Sequence, residues 1–253
     1  MLGWSLNLFR IRGILLAVHF SFFLLLAVNA FSGWSDAGIP GLLWDTAILI
    51  AFFVCVVLHE LGHSFTAMHY GIGVRRILLM PIGGMAEFDD IPRQPGRELL
   101  ITLAGPAVNF VIAGVLWVAL PPEVPGAPEV MTGMDFGHLL MQWNLAMGLF
   151  NLLPAFPMDG GRILRALLAT KTTYLRATWW AATVGKILCV VGVIVGAFHQ
   201  PMLMLLFAFI FYAGEMEYRA AKRREIEDAH WRAVLARHHI IEIPVEEPPF
   251  LGR

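Results

Sequence analysis

The stretch AILIAFFVCVVLHELGHSFTAM, residues 47–68, sets two histidines and a glutamate inside an otherwise apolar run. Positions i and i+4 of a helix share one face, so His59 and His63 can grip one Zn²⁺ while Glu60 faces its water. HExxH alone is a moderately specific pattern. Ionisable groups are expensive in hydrocarbon and persist there mainly for function, which makes the pattern far more specific at this depth. The plain alternative is a helix whose polar face is satisfied structurally.

Outward from this stretch, the composition points to a membrane. Hydrophobic residues make up 58% of the 253 and charged residues 15%, against roughly 45–50% apolar in soluble domains. Six apolar stretches, at 13–31, 43–70, 99–120, 136–153, 177–198 and 202–218, are of spanning length. The expected fold class is therefore an α-helical polytopic membrane protein with six transmembrane helices. Arginine and lysine fall before the first stretch (Arg10, Arg12), after the second (Arg75, Arg76, Arg93, Arg97), after the fourth (Arg162, Arg165, Lys171, Arg176) and after the sixth (Arg219, Lys222, Arg223, Arg224). The other connections, 32–42, 121–135 and 199–201, hold none. By the positive-inside rule both termini are cytoplasmic, in a multi-pass protein of the plasma or inner membrane. Residues 1–218 then form the transmembrane domain and 219–253 a cytoplasmic tail, whose basic cluster suits anionic lipid or a stop-transfer anchor. The outer loop 121–135 reads as an irregular connection. Val28-Asn29-Ala30 resembles a cleavage site, but the apolar stretch is long for a signal peptide, and an uncleaved helix is expected. Lys186, inside the fifth stretch, either reaches the inner interface along its aliphatic stem, which is the expected course, or faces a polar cavity. Cys55 and Cys189 read as buried thiols, with Cys55 one turn before His59. A net charge of −1 argues against a nucleic-acid partner.

Between the second and third stretches, Val74–Met80 is a β-prone apolar strip. Gly83-Gly84 gives a turn signal and residues 85–88 a returning strand. The expected short β-hairpin is too apolar for water and too short to span, so it is read as membrane-associated, the plain alternative being a cytoplasmic loop lying on the headgroups. Ile82, Gly83, Gly84 and Met85 are the residues expected to pair with an extended substrate. The third stretch contains Gly105-Pro106-Ala107-Val108-Asn109, where Asn109 must find a hydrogen-bond partner. After the fourth comes Asn151-Leu152-Leu153-Pro154-Ala155-Phe156-Pro157-Met158-Asp159-Gly160-Gly161-Arg162, in which two prolines and two glycines unwind the chain. A catalytic zinc needs a third protein ligand and an open position. Asp159 lies at the same cytoplasmic depth as the histidines and is the best carboxylate for that role. Capping a helix from 163 to 169 is its structural alternative.

HELGH, GPAVN and NLLPAFPMDGGR together resemble the site-2 protease family of intramembrane zinc metalloproteases, over about residues 13–218. The closest likeness is to its prokaryotic six-span group with a membrane hairpin. The resemblance implies one zinc held by His59, His63 and Asp159, with Glu60 as catalytic base. It also implies that Asn151 hydrogen-bonds the substrate or oxyanion, with Asn109 as a lesser, structural candidate. Members of the group often carry paired CBS domains after the last helix. The sequence ends 35 residues past Tyr218 and has no insertion with room for a PDZ domain, so neither module is expected.

The activity so implied is hydrolysis of a peptide bond within or near the transmembrane segment of another membrane protein. Its partners are that substrate and the lipid bilayer, and a homo-oligomer is compatible with it. A membrane zinc transporter would not need the glutamate between the histidines, and an inactive scaffold would not need every ligand.

Overall fold

A computed structural model describes residues 4–89, 94–121 and 133–238. Arg93, most of the outer loop 121–135 and the last 15 residues of the expected tail lie outside them. The described elements run β1 Ser5–Ile11, β2 Ile14–His19, α1 Phe20–His69, β3 Val74–Met80, β4 Gly83–Phe88, α2 Pro95–Ala119, α3 Gly133–Asn151, α4 Asp159–Ala169, α5 Tyr174–His199 and α6 Pro201–His238.

Helix α1 is two helices joined end to end. Ala37 and Gly38 are non-helical, with Gly38 at φ 64°. A straight helix would hold Phe22 and Phe53 about 45 Å apart, yet their rings meet edge-on at 4.6 Å. The chain therefore folds back into antiparallel arms, 20–36 and 39–69. Gly33 and Gly41 permit the crossing, since a methyl group on Gly33 would stand 2.5 Å from the Gly41 carbonyl oxygen. Among the described residues, α1, α2, α5 and α6 are long and apolar enough, by length and composition, to cross a membrane.

The first expected span is corrected at its start. Residues 14–19 form β2, and helix begins only at Phe20. A strand buried on both faces reads as a continuous apolar run, which periodicity cannot tell from a helix. β1 and β2 are joined through Arg12 and Gly13, both at positive φ, as a two-residue type I′ hairpin demands. The expected two-stranded hairpin is accordingly half of a four-stranded sheet of order β1-β2-β3-β4, with β2 and β3 parallel and the outer pairs antiparallel.

Its turn also differs from the expected Gly83-Gly84. Met80 pairs with Gly83, so Pro81-Ile82 make the turn and Gly84 lies within the strand. Proline presets φ at such a position, and Gly83 at φ 130° takes a conformation closed to other residues. Arg76 donates to Glu87 Oε1 at 2.7 Å across β3 and β4 and holds that carboxyl below its ordinary range.

Ile14, Leu16 and Val18 of β2 and Ile77 and Leu79 of β3 pack on Phe22, Phe53, Val56 and Leu61 of α1. The sheet is thereby fixed against the helix that carries HELGH. α5 and α6 form a tight pair, and a methyl on Gly196 would meet the Met204 nitrogen at 2.6 Å. Lys186 is ion-paired with Glu215 of α6. α6 itself continues without a break through Tyr218, so the described part of the expected tail extends the last apolar helix. Cys55 and Cys189 are buried and free.

Candidate metal centre

Two helices bring three ligand atoms to one point. His59 and His63 share one face of α1, and Asp159 opens α4 opposite them. His59 Nε2 and His63 Nε2 are 3.1 Å apart, and Asp159 Oδ2 lies 3.3 and 3.2 Å from them. All three side chains are buried.

The donor set decides what fits there. His59 Nδ1 faces Asn109 Oδ1 at 2.5 Å and His63 Nδ1 faces the Ile101 carbonyl at 2.8 Å. Those oxygens accept, so each Nδ1 carries the hydrogen and each Nε2 turns a lone pair inward. Two lone pairs and a carboxylate oxygen then point at one another with no hydrogen among them, and Asp159 Oδ2 is buried with no hydrogen-bond donor. Such a cluster calls for a cation. Ligand bonds of about 2.0–2.2 Å around tetrahedral zinc give ligand–ligand edges of about 3.3–3.5 Å. The observed triangle is close to one face of that tetrahedron, leaving the fourth corner for water or substrate.

Asp159 reaches this position because the chain before α4 is wound tightly. A methyl on Gly160 would meet the Leu152 and Leu153 carbonyl oxygens at 2.2 Å. The N-cap of α4 is Met158, without a side-chain bond, so Asp159 is free of the capping duty that was its structural alternative. Arg165, two turns further on, anchors the helix. It is 1% exposed and donates to Glu98 of α2 at 2.8 Å and Glu217 of α6 at 2.9 Å. Phe156 and Tyr174 lie under its guanidinium. Removing one partner of such a buried cluster costs about 3–5 kcal/mol, so α4 is strongly tied to two other helices.

The remaining expected residues fall as follows. Glu60 packs against β4, where a methyl on Gly84 would stand 2.6 Å from Glu60 Cγ. Gly84 thus does not make the turn; it lets the strand approach the motif glutamate. Asn109 is fully buried behind His59, its amide committed to His59 on one side and to Asn144 at 2.9 Å on the other. Asn151 ends α3 and donates to the Met147 carbonyl of its own helix at 3.0 Å.

Sequence reasoning passed over three residues of this centre. Arg165 was counted only as an inside charge. Asn144, a lone amide in an apolar helix, carried a usable signal, because such a group must be paired. Gly105 of the third stretch also bears on the centre, since a methyl there would stand 2.2 Å from His63 Nε2 and 2.8 Å from His59 Nε2.

The model of Peptidase family M50 matches residues 47–192, which include the whole ligand triangle. The chain belongs to this family. A zinc metalloprotease of Methanocaldococcus jannaschii is 40% identical over 225 residues, covering 87% of this chain and 62% of that protein. A protein of Synechocystis is 36% identical over 166 residues, covering 62% and 42%. The chain thus spans less than two thirds of the length of either relative. A solved structure of a site-2 protease from Methanocaldococcus jannaschii matches with a TM-score of 0.62 at 40% identity, over 85% of this chain and 95% of that one.

Proposed function

We propose that this M50 peptidase family member hydrolyses a peptide bond within or near the transmembrane segment of another membrane protein. The observation that carries the reading is the buried triangle of His59 Nε2, His63 Nε2 and Asp159 Oδ2, with Glu60 beside it against a strand edge. One zinc per chain fits that triangle. Bound there, zinc supplies Lewis acidity, which makes water acidic near neutral pH and polarises a peptide carbonyl. Glu60 accepts the water's proton and returns one to the leaving amine. Asn151, at the end of α3, is suited to holding the substrate carbonyl or oxyanion once its amide turns from Met147.

A helical substrate has its backbone hydrogen bonds closed and must unwind before attack. β4 is the last strand of its sheet, and Gly84 brings its backbone against Glu60. An unwound segment pairing with that edge gains main-chain hydrogen bonds with little demand on sequence. Met85→Pro removes one backbone donor from β4. Its expected result is lower turnover at unchanged metal content, measured by cleavage rate and zinc analysis. Cleavage at the wild-type rate would exclude β4 as the edge that receives the substrate.

The reading includes six spans, counting both arms of α1, with both termini inside. Large apolar side chains such as Trp117, Val118 and Phe198 stand more than 70% exposed, as lipid-facing groups do. Cysteine labelling is expected to reach position 35 from outside and positions 94 and 171 only after permeabilisation; the opposite pattern would put the centre in the other leaflet. Proteolysis is tested with purified full-length protein and a single-span substrate carrying helix-weakening residues in its span. Cleavage within the span that stops with a zinc chelator and returns with zinc supports the reading. Zinc uptake with no cleavage of any such substrate favours a transporter or scaffold.

A further inference from the structure

We propose that Asn144 is a positioning residue that fixes, through Asn109, which nitrogen of His59 faces the metal. The inference rests on His59, His63 and Asp159 being the zinc site.

The two histidines are oriented differently. His63 Nδ1 meets the backbone carbonyl of Ile101 at 2.8 Å. A carbonyl only accepts, so the hydrogen sits on Nδ1 and Nε2 is left to coordinate. His59 meets a side-chain amide instead, at 2.5 Å from Asn109 Oδ1. An amide has two ends of nearly equal shape, and packing distinguishes them poorly. Turned half round, Asn109 would present its NH₂ to Nδ1 and drive the imidazole hydrogen onto Nε2. That hydrogen would point into the ligand triangle, where His63 Nε2 is only 3.1 Å away, and coordination by His59 would be lost.

What selects the working orientation is the far end of Asn109, whose Nδ2 donates to Asn144 Oδ1 at 2.9 Å. Asn144 is equally ambiguous alone, but its Nδ2 donates to the Leu140 carbonyl at 2.8 Å, with Cys55 Sγ at 3.3 Å as second acceptor. The Leu140 carbonyl cannot donate, so it sets the polarity of the row. Asn144 must turn its oxygen to Asn109, Asn109 its oxygen to His59, and His59 its bare Nε2 to the metal. Asn109 and Asn144 are both fully buried, so no bulk water can substitute for a missing partner. Both histidines therefore take their orientation from a backbone carbonyl, His63 directly and His59 through two amides.

The test is zinc affinity of the purified full chain, read by competition with a chromophoric chelator. Loss of a group that orients a metal-bound histidine weakens metal binding by about 10- to 100-fold, and that is the expected result for Asn144→Ala. Asn144→Thr serves where the alanine variant folds poorly. A threonine hydroxyl in this fold satisfies itself on the carbonyl four residues back, as Thr178 and Thr183 do at 2.8 Å, so the helix is preserved while the link to Asn109 is cut. The decisive arm is the Asn109→Asp background. A carboxylate has no donor end to present, so His59 no longer depends on Asn144, and the Asn144→Ala loss should vanish there. An equal loss in both backgrounds would mean that Asn144 acts by packing and would overturn the proposal. So would wild-type affinity in both Asn144 variants, or an Asn109→Asp chain that no longer binds zinc. His59→Ala separates the two layers: zinc retained in that variant refutes the site itself. Zinc lost there but kept in the Asn144 variants refutes only the relay.

Discussion

Glu60→Gln is expected to abolish peptide hydrolysis while leaving zinc in place. Gln has the length and shape of Glu, so it keeps the contact with Gly84 that holds β4 against α1. None of the three ligand atoms belongs to residue 60, so the metal cage is untouched. What is lost is the capacity to take a proton from water and hand one to the departing amine. Groups in that role supply about 10²–10⁴-fold in rate, and a peptide amine is a poor leaving group without its proton. Cleavage rate and zinc content measured on the same preparation give the answer. A variant that still cleaves would locate the base elsewhere and weaken the protease reading. A variant that loses zinc would mean that Glu60 holds the cage as well as working beside it.

The contrast between Glu60 and Arg165 explains what the sequence could carry. HELGH is local: five residues on one helical face suffice to bring two imidazoles together, and the apolar run around them signals how costly they are. Asp159 lies 96 residues beyond His63, yet depth along the charge pattern was enough to nominate it, because a membrane reduces a three-dimensional question nearly to one dimension. Arg165 offered no such cue. An arginine just inside the membrane is what topology alone requires, and its partners Glu98 and Glu217 come from helices 67 residues before it and 52 after. Only tertiary packing reveals that it is buried. The same holds for β2, whose residues 14–19 read as the start of a span because a strand buried on both faces and a membrane helix present the same unbroken apolar run. Gly84 was misread for a related reason. A glycine pair suggests a turn, but Gly84 is small because Glu60 of a distant helix lies against its backbone, which no local pattern encodes.

Removing any corner of the triangle is expected to remove the zinc. Each of His59 Nε2, His63 Nε2 and Asp159 Oδ2 supplies one edge-sharing corner at 3.1–3.3 Å from the other two. His59→Ala or His63→Ala leaves two ligands and an enlarged open side, so near-stoichiometric zinc in the wild-type protein should fall sharply, and cleavage with it. Asp159→Ala should do the same without unfolding α4, since that helix is held by Arg165 rather than by an Asp159 cap. Gly105→Ala reaches the same end by a different route. It removes no ligand, but its methyl group would stand 2.2 Å from His63 Nε2, inside the space the ion needs. Metal analysis of the four variants, with thermal stability as the folding control, distinguishes a ligand cage from a structural cluster of buried polar groups. A structural cluster would lose stability in step with each deletion yet show no stoichiometric zinc to lose. Full zinc retention in the double variant His59→Ala/His63→Ala would place the metal elsewhere in the chain and leave the triangle without its cation.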